Sequence, residues 1–204
     1  MDRGRYVSKG LLVLGTAFWL ATGGCGLFDT REANRPSEVT VRCNNPVSPD
    51  SVLENIRAHY GKPSVGSCYN PMIDGVFAFH PDPVDANNYP PPNPFVGWNK
   101  QVEEGVANYI AADSVKFFQV YFDGEYQTPT VDPGPPQRET RFVEYHILFS
   151  RLGQPDTTRY QGRSDIIVEQ KVNSLWKIVD WTDHGDGSGL PTWGRLRGDK
   201  RVGI

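Results

Sequence analysis

After residue 114 the chain carries four apolar, β-rich runs with no further helix between them, and this leaves few folds open. The runs cover residues 115–122, 141–150, 159–170 and 175–181. The second alternates most cleanly. Val143, Tyr145, Ile147 and Phe149 fall on one face, with Glu144 and His146 among those on the other, which is the period-two pattern of a half-buried strand. A short turn near Asn173–Ser174 joins the last two runs, and the Gly/Pro stretch Thr128–Pro136 reads as a hairpin loop between the first two. A meander of this kind buries one face, and only helices are available to cover it.

Those helices lie earlier. Ser48 can cap the first, with Pro49 at its first turn and Asp50 near the positive end of its dipole. Val52, Leu53, Ile56 and Tyr60 recur at helical spacing before Gly61 ends it. A short strand, Val76–His80, is followed by a Pro/Asn loop over Pro81–Pro94. The second helix runs from near Asn99 to about Ala112. Val102, Val106, Tyr109 and Ile110 make its apolar face; Glu103, Glu104 and Asn108 make the other. The order of elements predicts an α+β domain, with N-terminal helices packed on a curved antiparallel sheet that forms a half-open cone. In the closing strand, alternation sends Trp176 and Ile178 to one face and Lys177, Val179 and Trp181 to the other. The second face then needs its own cover, and Leu190, Pro191, Trp193 and Leu196 in the tail are the expected source.

The ending Trp176-Lys177-Ile178-Val179-Asp180-Trp181, after helices and curved strands, resembles the nuclear transport factor 2-like superfamily, which includes ketosteroid isomerase and polyketide cyclases. More narrowly, four stretches resemble bacterial lipoproteins of this fold: Leu27-Phe28-Asp29-Thr30-Arg31-Glu32, Pro49-Asp50-Ser51-Val52-Leu53-Glu54-Asn55, Gly97-Trp98-Asn99, and Thr192-Trp193-Gly194-Arg195-Leu196-Arg197. The resemblance spans about residues 27–198 and implies one cone-shaped domain over residues 49–198, with a short tail at 199–204. It also implies that an enzyme of this kind would hold a carboxylate, Tyr or His inside the cone, where burial moves its pKa toward the working pH. The candidate pocket residues are Tyr69, His80, Tyr145 and His146, with Asp74 read as a turn residue. Tyr145 and His146 are neighbours on a strand, so only one of them can face the cone. No Asp/Tyr or Asp/His catalytic set of the known enzymes maps onto the sequence. The expectation is a non-catalytic binding module that uses the cone or the open sheet face, for an apolar small molecule, a protein partner or a second copy. The alternative is a small pocket enzyme of isomerase or cyclase type. Trp98, Trp176, Trp181 and Trp193 read as packing residues, with an aromatic-lined cavity as the other reading.

The N-terminus carries a separate signal. Arg3, Arg5 and Lys9 precede an apolar run from Leu11 to about Thr22, which has the length of a signal-peptide core and is short for a membrane span. Ala21-Thr22-Gly23-Gly24-Cys25 then resembles the bacterial lipobox. The resemblance implies cleavage after residue 24, diacylglycerol and palmitate on Cys25, and a tether over residues 25–48. The alternatives are an ordinary secretory peptide and an uncleaved anchor. Gly26 in place of Asp points to the outer membrane, facing the periplasm, if the cell is Gram-negative. Removing residues 1–24 leaves 18 basic and 23 acidic residues, a net charge of −5. Nucleic acid is therefore not an expected partner, since binding there scales with cationic contacts.

Two cysteines remain, Cys43 and Cys68. Outside the cytoplasm they most simply pair as a disulfide, and two separate buried thiols are the alternative. The four histidines are far apart in sequence and none has ligand spacing with a cysteine, so no metal and no cofactor is expected. Asp183 to Gly189 lacks the ligand spacing and distal Glu of a calcium loop. Arg195, Arg197, Lys200 and Arg201 read as a solvated basic tail, or as one paired with the acidic domain, with contact to anionic headgroups as the other reading.

Overall fold

The computed structural model describes residues 43–61, 68–112, 115–151, 153 and 155–203. The expected signal peptide, the expected lipidation site Cys25 and most of the expected tether lie outside these residues. Helix α1 spans Pro49–Gly61, and the Ser51 amide donates to the Ser48 hydroxyl at 3.2 Å as its cap. Strand β1 (Ile73–His80) follows, then the short helix α2 (Pro83–Asn87) and helix α3 (Lys100–Ala112). Strands β2 (Val115–Glu125), β3 (Thr130–Asp132), β4 (Arg138–Arg151), β5 (Thr158–Gln170) and β6 (Trp176–His184) lead to helix α4 (Trp193–Val202). No helix among the described residues is long and apolar enough to cross a membrane.

The sheet has six strands in the order β1-β6-β5-β4-β2, with β3 added to β4. It is α+β, open and mixed. The meander from β2 to β6 is antiparallel as expected, but β1 joins β6 in parallel. A parallel neighbour needs a long crossover, and here α2, α3 and the whole meander supply it. Where the sequence reads a featureless Pro/Asn loop, Asp82 accepts from the Val84 amide at 2.7 Å and, with Pro83 behind it, starts α2.

β6 departs from simple alternation. Val168 pairs with Ile178 and Ile167 with Asp180, so Val179 has no opposite residue in β5. This one-residue bulge resets the phase of the strand. Trp176, Ile178, Trp181 and Asp183 all end up buried, while Lys177, Asp180, Thr182 and His184 are only partly so. The expected split, with Trp181 opposite Trp176, is therefore overturned. The expected position of the tail is overturned with it: it is a helix, and its buried Trp193 packs edge-on against Trp181 at 5.0 Å and Tyr60 at 5.4 Å, on the side where α1 lies.

The outer face is polar. Arg163 pairs with Glu144, His146 with Asp123, His184 with Asp165 and His80 with Asp180. At the entry to the domain, Cys43 and Cys68 form a disulfide. Asn55 holds Asn44 through paired backbone contacts of 2.8 and 2.7 Å, and the Trp176 amide donates to the Pro46 carbonyl at 2.7 Å.

Candidate functional site

The interior of the cone is built around two carboxylates that the sequence pattern does not mark. Glu103 lies on the first turn of α3 and is 1% exposed. It turns inward with Val106 and Ile110, not outward with Glu104 and Asn108, whereas Tyr109, expected inside, is 39% exposed. Glu103 Oε1 accepts from the Tyr69 hydroxyl at 2.7 Å and from Arg197 Nε and Nη2 at 3.1 and 3.0 Å. Its Oε2 accepts from Trp98 Nε1 at 2.8 Å. Both oxygens are thus engaged by buried donors, as an ionised group away from water requires.

Arg197 is fully buried in α4. Its guanidinium lies 4.3 Å from the centre of the Trp181 ring, 4.6 Å from Phe79 and 4.7 Å from Trp193. Burial alone would lower its pKa; the charge of Glu103 and the neighbouring phenols outweigh this and hold it above its ordinary value. Its Nη1 finds no hydrogen-bond partner among the described residues.

Asp183, brought inside by the bulge in β6, is the second carboxylate. It accepts from the Tyr145 hydroxyl at 2.8 Å, the Ser164 hydroxyl at 3.0 Å and the Gly194 amide at 2.6 Å. Trp181 Nε1 donates to Ser164 Oγ at 3.0 Å, and the Trp193 amide donates to the Tyr145 oxygen at 2.7 Å. Burial raises the pKa of Asp183 in spite of these donors and of Arg197. It also raises those of Tyr145 and Tyr69, helped by the Asp183 and Glu103 charges respectively. Only glycine fits at residue 162 beside this network: a Cβ there would lie 2.6 Å from the Tyr145 oxygen and 2.6 Å from the His184 carbonyl.

Of the four candidate pocket residues, Tyr69 and Tyr145 meet this interior, each bonded to one of its carboxylates. His80 and His146 do not. Both lie on the outer face, paired with Asp180 at 3.0 Å and Asp123 at 2.6 Å. Asp74 is a strand residue, paired with Lys171 at 2.9 Å. No metal-binding group of three or more His, Cys, Asp or Glu exists among the described residues.

The interior thus holds the ingredients of proton transfer, a carboxylic acid of raised pKa bonded to a phenol, but α4 takes part in both of its networks. Outside it, a cleft of about 760 Å³ opens between α2 and the segment before α4, lined by Asp82, Asp85, Asp186, Gly187, Thr192 and Arg195 among others. Its carboxylates shape the segment: Asp82 accepts from the Gly185 amide at 2.7 Å, Asp85 from the Thr192 hydroxyl at 2.7 Å and Asp186 from Gln161 at 2.6 Å.

No protein-family model matches the chain, and no curated protein matches it in sequence. Solved structures do match. A protein assigned as a scytalone dehydratase from Novosphingobium aromaticivorans superposes with a TM-score of 0.50 at 8% identity, over 72% of this chain and 91% of that one. A nuclear transport factor 2-like superfamily protein from Salmonella enterica serovar Typhimurium gives 0.44 at 14% identity, over 67% and 87%. A protein assigned as an aromatic ring hydroxylase, also from N. aromaticivorans, gives 0.49 at 10% identity, over 70% and 89%. The domain shares the fold of the first of these, an α+β arrangement consistent with the nuclear transport factor 2-like fold. Identities this low carry the fold and not the activity.

Proposed function

We propose that the chain is a lipid-anchored protein of the bacterial cell envelope whose domain binds and does not catalyse. The observation that carries the second half is that α4 uses both interior carboxylates. Glu103 neutralises Arg197, and Asp183 receives the Gly194 amide. A reacting group would need one of these oxygens. Binding of any further ligand then falls to the exterior, where the cleft between α2 and residues 185–192 offers room for it. The polar pairs across the outer sheet face are a poorer basis for an apolar partner or a second copy there. Anchoring rests on the lipobox-like sequence at Cys25, with the outer membrane as its destination.

The raised pKa of Asp183 beside Tyr145 favours one rival reading, a pocket enzyme of isomerase or cyclase type that opens by moving α4. Amide exchange at Gly194 separates the two. In a sealed module this amide exchanges only with global unfolding. Exchange through a low-cost local opening, with α1 and the sheet still protected, would support the enzyme. For the anchor, Cys25→Ser is expected to move the protein out of the detergent phase in a partition experiment or to leave it uncleaved. A variant that matures and stays membrane-bound would refute it.

A further inference from the structure

We propose that the concave side of this domain is a receptor for a basic helix, built to read guanidinium groups, and that α4 is its ligand carried in cis. All four cations of α4 lie over aromatic rings. Arg195 is 4.6 Å from the centre of Tyr89, and Arg201 is 5.3 Å from that of Trp98. Lys200 is 5.3 Å from Tyr109 and 5.1 Å from Phe149. Arg197 is held by three rings and the Glu103 carboxylate. These separations are within the reach of cation–π attraction. The rings come from β1, β4, β6, α3, α4 itself and the loop before α3, so the seat is assembled by the whole fold.

The helix itself contributes little to its own formation. Its sequence, Trp-Gly-Arg-Leu-Arg-Gly-Asp-Lys-Arg-Val, contains two glycines, the poorest helix former after proline. One of these glycines is required by the seat: a Cβ at Gly198 would come within 2.6 Å of the Tyr89 oxygen and 2.8 Å of the Phe95 ring. The arrangement is that of an amphipathic helix in a groove, with cations at positions where apolar anchors are usual. The preceding segment is Gly-rich, with Gly187 and Gly189 at φ +85° and +77°, and it makes the contact intramolecular. A tether of this length corresponds to an effective concentration on the order of millimolar or more. Arg197 is also held in place by the buried Trp193 and Leu196 of the same helix, so free cations compete poorly with it in the native chain. The site is tested by removing that side chain.

In the full chain, Arg197→Ala is expected to lower the melting temperature by about 10 °C, as loss of a buried ion-pair partner does in a domain of this size. Ethylguanidinium, the part of the side chain deleted, should restore about 3–4 °C at 10 mM if it binds with a Kd of about 1 mM. Ethylammonium should restore less, because it lacks the planar fork that Glu103 receives. The native protein should respond to neither. No recovery, or equal recovery with both cations, would overturn the proposal. If Arg197→Ala does not fold alone, refolding it with each cation, followed by circular dichroism, gives the same comparison. Arg197→Lys gives an independent check: it keeps a charge without the fork, and native stability in this variant would also refute guanidinium recognition. The proposal rests on the domain being a binding module, but the two fail separately. Absent rescue removes the guanidinium site, whereas local exchange at Gly194 removes the sealed module.

Discussion

Tyr145 and His146 are consecutive residues of β4, and each is hydrogen-bonded to an aspartate, yet the two contacts belong to different regimes. The Tyr145 hydroxyl meets Asp183 where both are buried, and the same oxygen also accepts the Trp193 amide. His146 meets Asp123 on the outer face, stacked on Tyr121 with ring centres 4.4 Å apart, and Asp123 is 46% exposed. On the inside, every polar group that loses its partner keeps its full desolvation cost. On the outside, water replaces whatever is removed. Polar contacts within one strand can thus differ severalfold in worth, and distance alone does not reveal which is which.

That contrast can be broken most severely by ending the chain after Gly187. Trp193, Leu196 and Arg197 are at most 1% exposed. Burying one large apolar side chain contributes about 1.5–3 kcal/mol, and Glu103 and Asp183 would also lose partners. The combined loss approaches the whole stability of an ordinary domain, about 5–15 kcal/mol, so thermal unfolding should lose its cooperative transition. A truncated chain that melts like the full one would show that the interior does not need α4. Next in size is Glu103→Gln. It keeps the shape but leaves Arg197 charged and uncompensated, and urea unfolding should report a loss of about 3–5 kcal/mol. Tyr145→Phe should cost about 1–3 kcal/mol, because it strands the Trp193 amide and removes one donor from Asp183.

Asp183 adds a dependence on pH. Burial raises its folded pKa above the ordinary 3.8. Its contribution to stability is therefore complete below that value and is lost as pH rises through the raised folded value. Asp183→Asn should flatten this part of the stability–pH curve, and an unchanged slope would place the titration elsewhere. The smallest expected effect is that of His146→Ala, at or below about 1 kcal/mol. A loss as large as that of Tyr145→Phe would erase the distinction between the two faces.

The sequence made one side of this contrast readable and hid the other. The alternation of Val143, Tyr145, Ile147 and Phe149 gave the inward face of β4 correctly, since a regular strand has no freedom in its period. The same rule fails on β6. The bulge at Val179 depends on its pairing with β5, and nothing local announces it. Strict alternation puts Trp181 on the wrong face for that reason. Glu103 reads as solvent-facing because helical patterning treats charge as an outward signal, and its partner is 94 residues away in sequence. For α4 a signal did exist: Thr192 caps it, and Trp193, Leu196, Arg197 and Lys200 recur at the spacing of one helix face. It was obscured because half of that face is cationic, and aromatic rings rather than water receive it. The order of helices and meander was enough to reach the α+β class, although β1, as an isolated short strand, gave no hint of its parallel pairing.

The disulfide at the entry to the domain also has a mechanical consequence. Any pull on the chain from the N-terminal side reaches Cys43 first. From there it passes through the sulfur bridge to Cys68 and on toward β1, bypassing the backbone of α1. Helix α1 lies inside that bridged loop and cannot be peeled away turn by turn. The load enters instead at β1, which is hydrogen-bonded in parallel along β6. Pulled along their length, parallel strands share the strain across several hydrogen bonds in shear, whereas a hairpin unzips one bond at a time. A protein tethered at that end would be braced against its own anchor.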